Sequence, residues 1–477
     1  MMKYLFSFIG LTIVLLLAAC SDDSDFSTSP GKLLSFSVDT LKMDTTFSNV
    51  PSPAKSFWVY NRSGSSLRCQ SVRLERGNQS GFRVNVDGTY LGQSTGYQTQ
   101  DVEIRRGDSI RVFVEVTSPE NHAAAPKEHL DNLVFVLESG REQRVNLSAW
   151  SWDAVRLNNL RVSRDTTLSS QQPVVVYGGI TVDSAATLKL AAGLTLYFHA
   201  GAGIQVRGSL KAEGEPGNEV TLRGDRLDWM FDYLPYDRMS GQWNGLRFYT
   251  SSYDNHLSYT DIHSTFDGIL VDSSDVDKKK LQLDAVTVHN CQGYGLRALS
   301  SDIVLNNCQL SNTLKDCLLV NGGKADLNGC TLAQFYPFDS ERGAALRFSN
   351  SVSPLSQLSC RNSLITGYAE DVVMGENADT TRTFNYHFAD CILRTPKVTT
   401  KDSIYFERTL LENVKDTTRT GEKNFVTVDI DKQYYDFRLD SVSMAVDRAN
   451  PVSSLPTDRR GWRRDDKPDI GAFELKH

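Results

Sequence analysis

The sequence predicts an all-β chain in two parts, a two-sheet sandwich followed by a long parallel β-helix. Three observations carry this. Residues 33–155 break into short segments of period-two alternation separated by turn signals. From Gly245 onward, a glycine or small residue followed by an apolar-x-apolar triplet recurs every 22–28 residues. A second apolar motif interleaves with the first at a similar period. Two short strands per turn of variable length is the pattern of stacked β coils.

Composition narrows the function classes. The chain has 477 residues and a formal net charge of −7, with 58 acidic against 51 basic residues. That balance excludes an electrostatic nucleic-acid binder. Eight cysteines in this length are too few for a disulfide scaffold, and 33 glycines with 14 prolines exclude a collagen-like stalk.

The amino terminus sets the expected compartment. Met1-Met2-Lys3 precedes an apolar run over residues 4–19, the pattern of a secretory signal. The run ends Leu17-Ala18-Ala19-Cys20, which resembles the lipobox of bacterial lipoproteins. The resemblance implies a signal peptide over 1–19 and acylation of Cys20, with membrane anchoring through the acyl chains. Ser21-Asp22-Asp23-Ser24-Asp25, within a tether over 20–32, resembles the acidic export tag of surface lipoproteins in some Gram-negative bacteria. That implies an outer-membrane lipoprotein facing outward; the same run also reads as a solvated tether. Asp-Ser/Thr-apolar-type triplets at Asp39, Asp44, Asp108, Asp165, Asp183, Asp379, Asp402, Asp416 and Asp440 resemble an O-glycosylation sequon of such bacteria, and read equally as turn pairs.

Within 33–155, Leu34-Ser35-Phe36-Ser37-Val38, Phe57-Trp58-Val59-Tyr60 and Ile110-Arg111-Val112-Phe113-Val114 alternate with period two. Leu133-Val134-Phe135-Val136-Leu137 reads as a buried strand. Asn61-Arg62-Ser63-Gly64 and Arg105-Arg106-Gly107-Asp108 supply turns. The order resembles the immunoglobulin-like modules of bacterial surface proteins, here without a cysteine pair between the sheets. A spacer role is expected, and no aromatic platform for sugars stands out.

The β-helix is expected over 165–430. The first motif starts at Gly245, Gly268, Gly295, Cys317, Ala345 and Asp371. The second starts at Leu257, Leu283, Leu305 and Leu327, with looser copies at Cys360 and Phe388. Its central column, Thr260, Val286, Cys308, Cys330, Ser363 and Cys391, is expected inside, with the cysteines as free thiols filling a narrow core. Gly208-Ser209-Leu210-Lys211-Ala212-Glu213-Gly214, Val220-Thr221-Leu222 and Trp243-Asn244-Gly245-Leu246 together resemble the right-handed parallel β-helix family. That family includes pectate-lyase-like enzymes and noncatalytic surface proteins. Asp447-Arg448-Ala449-Asn450-Pro451 and Asp469-Ile470-Gly471-Ala472-Phe473-Glu474, within 431–477, resemble its closing segment.

The chemistry is less marked. The middle residue of each first-motif strand points outward, giving a column Arg247, Leu270, Arg297, Leu319, Arg347, Val373. Its arginines suit acidic sugar units, or pack their stems on the aliphatics. His263 and His289 share a second column, with Asp261 and Asp267 near in sequence; such a pair binds a metal or moves a proton, or stands as a satisfied surface pair, and without a third fixed ligand no metal set is assigned. Arg297, His263 and His289 are the only catalytic candidates. The aromatic insert carries Trp229, Tyr233, Tyr236, Arg238 and Trp243, residues that contact sugars or fold onto the helix wall. The leading expectation is noncatalytic display or binding of a polymer, a glycan. The alternatives are a polysaccharide lyase or hydrolase, the lyase with calcium, and an adhesin for another protein. The leading reading needs no cofactor.

Overall fold

A computed structural model describes residues 25–398 and 401–476. Cys20 and the acidic run up to Ser24 lie outside the described residues. The chain divides into two compact units, Met1–Asp153 and Ala154–His477.

The first unit is the sandwich. One sheet runs in the order Ser35–Phe36, Lys55–Tyr60, Ser109–Val116, Phe82–Val86, Thr89–Leu91. The other runs Thr40–Lys42, Glu142–Trp152, Lys127–Leu137, Leu67–Leu74, Gln98–Ile104, with Thr46–Phe47 also on Glu142–Trp152. Pairing is antiparallel except that Thr40–Lys42 and Thr46–Phe47 run parallel to their neighbour. Alternation sends Phe57, Val59, Val112 and Val114 inward to meet Leu133, Phe135, Val145 and Leu147 in one core. Cys69 is buried there, and burial pushes its thiol up to about 12.

The second unit is the parallel β-helix, a single 26-stranded sheet wound on itself. Each coil carries three strands, where two were expected. Ile204–Val206, Leu246–Phe248, Ile269–Val271 and the start of Leu296–Asn306 stack as one face. Ser209–Glu213, Asn255–Ser258 and Lys279–Asp284 stack as a second. Val220–Gly224, Thr260–His263, Thr287–Cys291 and Gln309–Thr313 form the third.

The difference arises at one turn. The second motif is two strand ends joined by a single residue in the left-handed region: Tyr259, Ala285, Asn307, Gly329, Asn362 and Asp390 occupy that position in successive coils. One such residue bends the chain sharply while both flanking apolar positions still point inward. Asparagine, aspartate and glycine tolerate this conformation best, which accounts for four of the six. Gly329, at φ 63°, is the one member with no side chain to strain.

Like residues stack inside. Ile262, Val288, Leu310, Leu332, Ile365 and Leu393 form a buried aliphatic ladder, and Cys308 and Cys330 a buried thiol pair beside it. The seven described cysteines are free. Toward the last coils the core turns aromatic, with Phe388 and Phe406 stacked at 5.4 Å.

Parallel pairing starts at Val155–Val162, ten residues before the repeat becomes legible, because that strand is mostly exposed. It ends at Leu410–Leu411. The following segment adds no coil. Phe425, Phe437, Leu439, Ala445 and Ile470 pack against outward-facing Ala333, Leu364 and Ile392 of the third face. Residues 450–472 then run along the left-handed turns as a strap. Asn450 N–H donates to Asn362 Oδ1 at 2.9 Å, Asn307 Nδ2 to the Thr457 carbonyl at 2.7 Å, and Gly471 N–H to the Asn362 carbonyl at 2.9 Å.

Candidate functional site

The outward column of the first face is formed by register. Arg247 pairs with Leu270, Leu270 with Arg297, Arg297 with Leu319, and Leu319 with Arg347. The last member is Met374, not Val373. Val372 takes the small-residue position, so the strand starts one residue later than expected and Val373 faces the core.

The three arginines do not form one site. Arg347 is bound by the buried Asp316 at 3.0 Å. Arg297 lies 5.7 Å from the Tyr294 ring, with its Nε buried and without a hydrogen-bond partner among the described residues. Arg247 opens onto a groove of about 280 Å³. Gly179, Gly203 and Gly245 belong to its lining, with Gln205, Tyr249 and Phe266 supplying side chains. Gly245 is essential to this shape. It sits at φ 74°, and a Cβ there would stand 1.7 Å from the Asp267 carbonyl of the next coil. The Tyr249 ring is held between Arg207, 4.3 Å from its centroid, and Arg247 at 4.8 Å. Phe266 is 49% exposed. The nearby carboxylates serve the scaffold: Asp267, in the groove lining, accepts the Tyr294 backbone N–H at 2.9 Å, and Asp272, outside the lining, pairs with Arg247 at 3.1 Å.

The aromatic insert separates into an exposed tip and a buried root. Trp229–Phe231 pairs with Leu234–Pro235 as a small hairpin. Trp229, Phe231 and Tyr233 are about half exposed, and the Phe231 and Tyr233 rings stack at 5.6 Å. Tyr236 is half-buried with the Arg226 guanidinium 3.7 Å above its ring. Arg238 reaches the Lys432 carbonyl at 3.1 Å and the Tyr434 ring at 4.8 Å, so it braces the hairpin that Phe425–Asp429 forms with Tyr434–Leu439. Trp243 is fully buried against Phe198, which removes it from any contact surface.

The insert docks on the histidine column. His263 and His289 are in direct register, their rings 4.8 Å apart, and each precedes a left-handed residue, Ser264 and Asn290. His263 Nε2 bonds Asp237 of the insert at 2.8 Å, and its Nδ1 bonds Asp261. Arg223 also reaches Asp237, at 2.8 Å. Burial disfavours charge on His263, but the Asp261 carboxylate and the hydrogen bonds to both aspartates outweigh it and raise the imidazole to about 9. Burial likewise opposes charge on Asp237; the His263 bond and charge, with Arg223, bring it to about 2. The same balance holds Asp261 well below the usual carboxylate range. Of the two aspartates near these histidines in sequence, the structure brings Asp261 to both rings, 3.4 Å from His289 Nε2, whereas Asp267 holds the Tyr294 backbone.

One feature of the sandwich went unread. Trp58 pairs with Arg111 across two strands, and the guanidinium lies 5.4 Å from the Trp58 ring and 4.9 Å from Phe113. Both aromatics are about 40% exposed, so an aromatic–arginine platform is present after all. Period two marked each residue as outward; only the strand pairing brings them together.

No family model matches the chain, and no curated protein matches it. Among solved structures, the PapD-like domain 7 of human CEP192 aligns at 10% identity, over 27% of this chain and 92% of that one, with a TM-score of 0.18. A family 123 glycoside hydrolase from Clostridium perfringens aligns at 8% identity, over 27% of this chain and 26% of that one, also with a TM-score of 0.18. The chain thus spans about a quarter of the hydrolase.

Proposed function

We propose that this chain is an acylated outer-membrane lipoprotein, displayed at the cell surface, whose β-helix binds a polymeric glycan without cleaving it. The observation that carries the binding reading is the groove beside Arg247. A glycine-lined trough over a flat parallel face admits an extended chain. Phe266 offers a face to sugar C–H groups, while Gln205 and Arg247 offer polar contacts to hydroxyls and carboxylates. Engagement of Asp267 and Asp272 in the scaffold supports binding rather than bond cleavage. Anchoring rests on the Cys20 motif and the acidic run after it. The nine sequon hydroxyls, Thr40 through Ser441, are all at least partly exposed, which is compatible with glycan addition there.

The test incubates the full chain in detergent with neutral and acidic polysaccharides, with calcium and with chelator. Retention and new chain ends are both read. Retention without new ends is the expected result. New ends on any polymer establish an enzyme instead. No retention on any polymer moves the reading to a protein partner. Loss of acyl label in Cys20→Ala checks the anchor.

A further inference from the structure

We propose that Asp261, His263 and His289 form a binding site for a divalent first-row transition ion of the zinc type, with Asp237 positioning the His263 ring. The site is separate from the groove and beyond the glycan reading.

Geometry is the first argument. Among the described residues these three are the one group of such ligands whose donor atoms lie within 4.8 Å of one another. Two bonds of about 2.1 Å at a tetrahedral angle place ligand atoms about 3.4 Å apart. His289 Nε2 and Asp261 Oδ1 stand 3.4 Å apart. The His263 Nδ1 contact to Asp261 is shorter, a hydrogen bond that a small rotation of the carboxylate opens to ligand spacing. Both histidines are on paired strands of adjacent coils, so the rings are held in register rather than on a loop.

The surrounding shell is the second argument. A ligating imidazole needs its other nitrogen fixed by an acceptor, which sets the tautomer and the ring plane. Asp237 does this to His263 Nε2 at 2.8 Å, leaving Nδ1 directed at Asp261. Arg223, 2.8 Å from the same Asp237 oxygen, offsets its charge. The buried Trp243 N–H donates to the His263 carbonyl at 2.9 Å and fixes the backbone below the ring. Other histidine–aspartate pairs, His199 with Asp225 and His256 with Asp284, join one imidazole to one carboxylate.

Donor chemistry selects the ion. Two imidazole nitrogens and one carboxylate oxygen suit zinc and its neighbours, whereas calcium and magnesium require oxygen ligands throughout. His289 and Asp261 keep 26% and 25% of their side chains exposed, which gives an entry path and room for a water as fourth ligand. A bound ion ties two coils together, and through Asp237 it fastens the aromatic insert.

The test titrates the chelator-stripped full chain in detergent with Zn2+ by calorimetry. About one zinc per chain is expected, without competition from Ca2+. His289→Ala and Asp261→Asn lose affinity by about 100-fold or more, Asp237→Asn weakens it by about 10–100-fold at unchanged stoichiometry, and Arg247→Ala leaves it unchanged. Circular dichroism checks that each variant folds. If Asp261→Asn does not, His289→Gln, at the partly exposed rim, decides. Absence of zinc uptake by folded wild-type protein, or equal affinity in the His289 variants, overturns the site. Equal affinity in Asp237→Asn overturns the positioning role.

Discussion

The Trp243 indole lies flat on the Phe198 ring, with centroids 4.1 Å apart and planes within 6°. The stack closes the aromatic insert: the chain leaves the helix after Val220–Gly224, forms the exposed hairpin, and returns through a tryptophan sealed in the core. The same residue supports the histidine cluster through its N–H bond to the His263 carbonyl.

Trp243→Ala therefore removes a buried aromatic and costs about 3–5 kcal/mol, read as a lower unfolding midpoint of the β-helix. Trp229→Ala, at the exposed hairpin tip, changes stability by less than about 0.5 kcal/mol. Equal effects of the two substitutions would contradict this division of the insert.

The strap depends on Asn362. Its Oδ1 accepts the Asn450 N–H, and its Nδ2 donates to Asn328 and Ser453. Asn362→Ala strands the buried Asn328 Oδ1 and frees the partly buried Asn450 and Ser453, at a cost of about 1–3 kcal/mol. The expected readout is faster protease cutting within 445–474, with the coils before Leu364 remaining protected.

Asp469 makes the strap sensitive to pH. Burial pushes its carboxyl up to about 6, against the backbone N–H groups of Leu475 and Asp447, and the Glu474 carboxylate adds to the rise. A raised folded-state value means its contribution is full below about 4 and is lost as pH rises through about 6. The loss is at most about 3 kcal/mol. Hydrogen exchange in residues 445–475 should quicken between pH 4.5 and 7 beyond the intrinsic rate increase, and Asp469→Asn should flatten that excess. An identical pH profile in the variant would contradict the assignment.

The thiols should be inert in the native protein. Burial pushes Cys69, Cys291 and Cys317 up to about 12, and Cys360 and Cys391 face each other inside the helix at 3.9 Å. Iodoacetamide at pH 8 should label none of the seven described cysteines until denaturant is added, since the thiolate is the reactive form. Native labelling of any of them would show that its coil opens.

The apolar ladders were legible because inward positions repeat coil after coil: Leu246, Ile269, Leu296, Leu318 and Leu346 align as their spacing implied. The second face was not separated from the third because one left-handed residue, such as Asn307, leaves almost no gap in the pattern. Arg247 was legible as outward, but its neighbours in the groove come from other coils. Asp237 bonds His263 from 26 residues away, a contact that depends on how the insert folds. The strap motif was visible; that it lies along the turns instead of adding a coil follows from side-chain pairings such as Asn450 with Asn362.

The central claim, a noncatalytic glycan groove at Arg247, is tested most directly by measuring the affinity of a retained polysaccharide for the wild type, Arg247→Ala and Trp229→Ala. The account predicts a loss of about tenfold or more in Arg247→Ala, near-wild-type affinity in Trp229→Ala, and no new chain ends in any sample. Full affinity in Arg247→Ala with loss in Trp229→Ala would place binding on the hairpin and contradict the groove. New chain ends with the wild type would contradict the absence of catalysis.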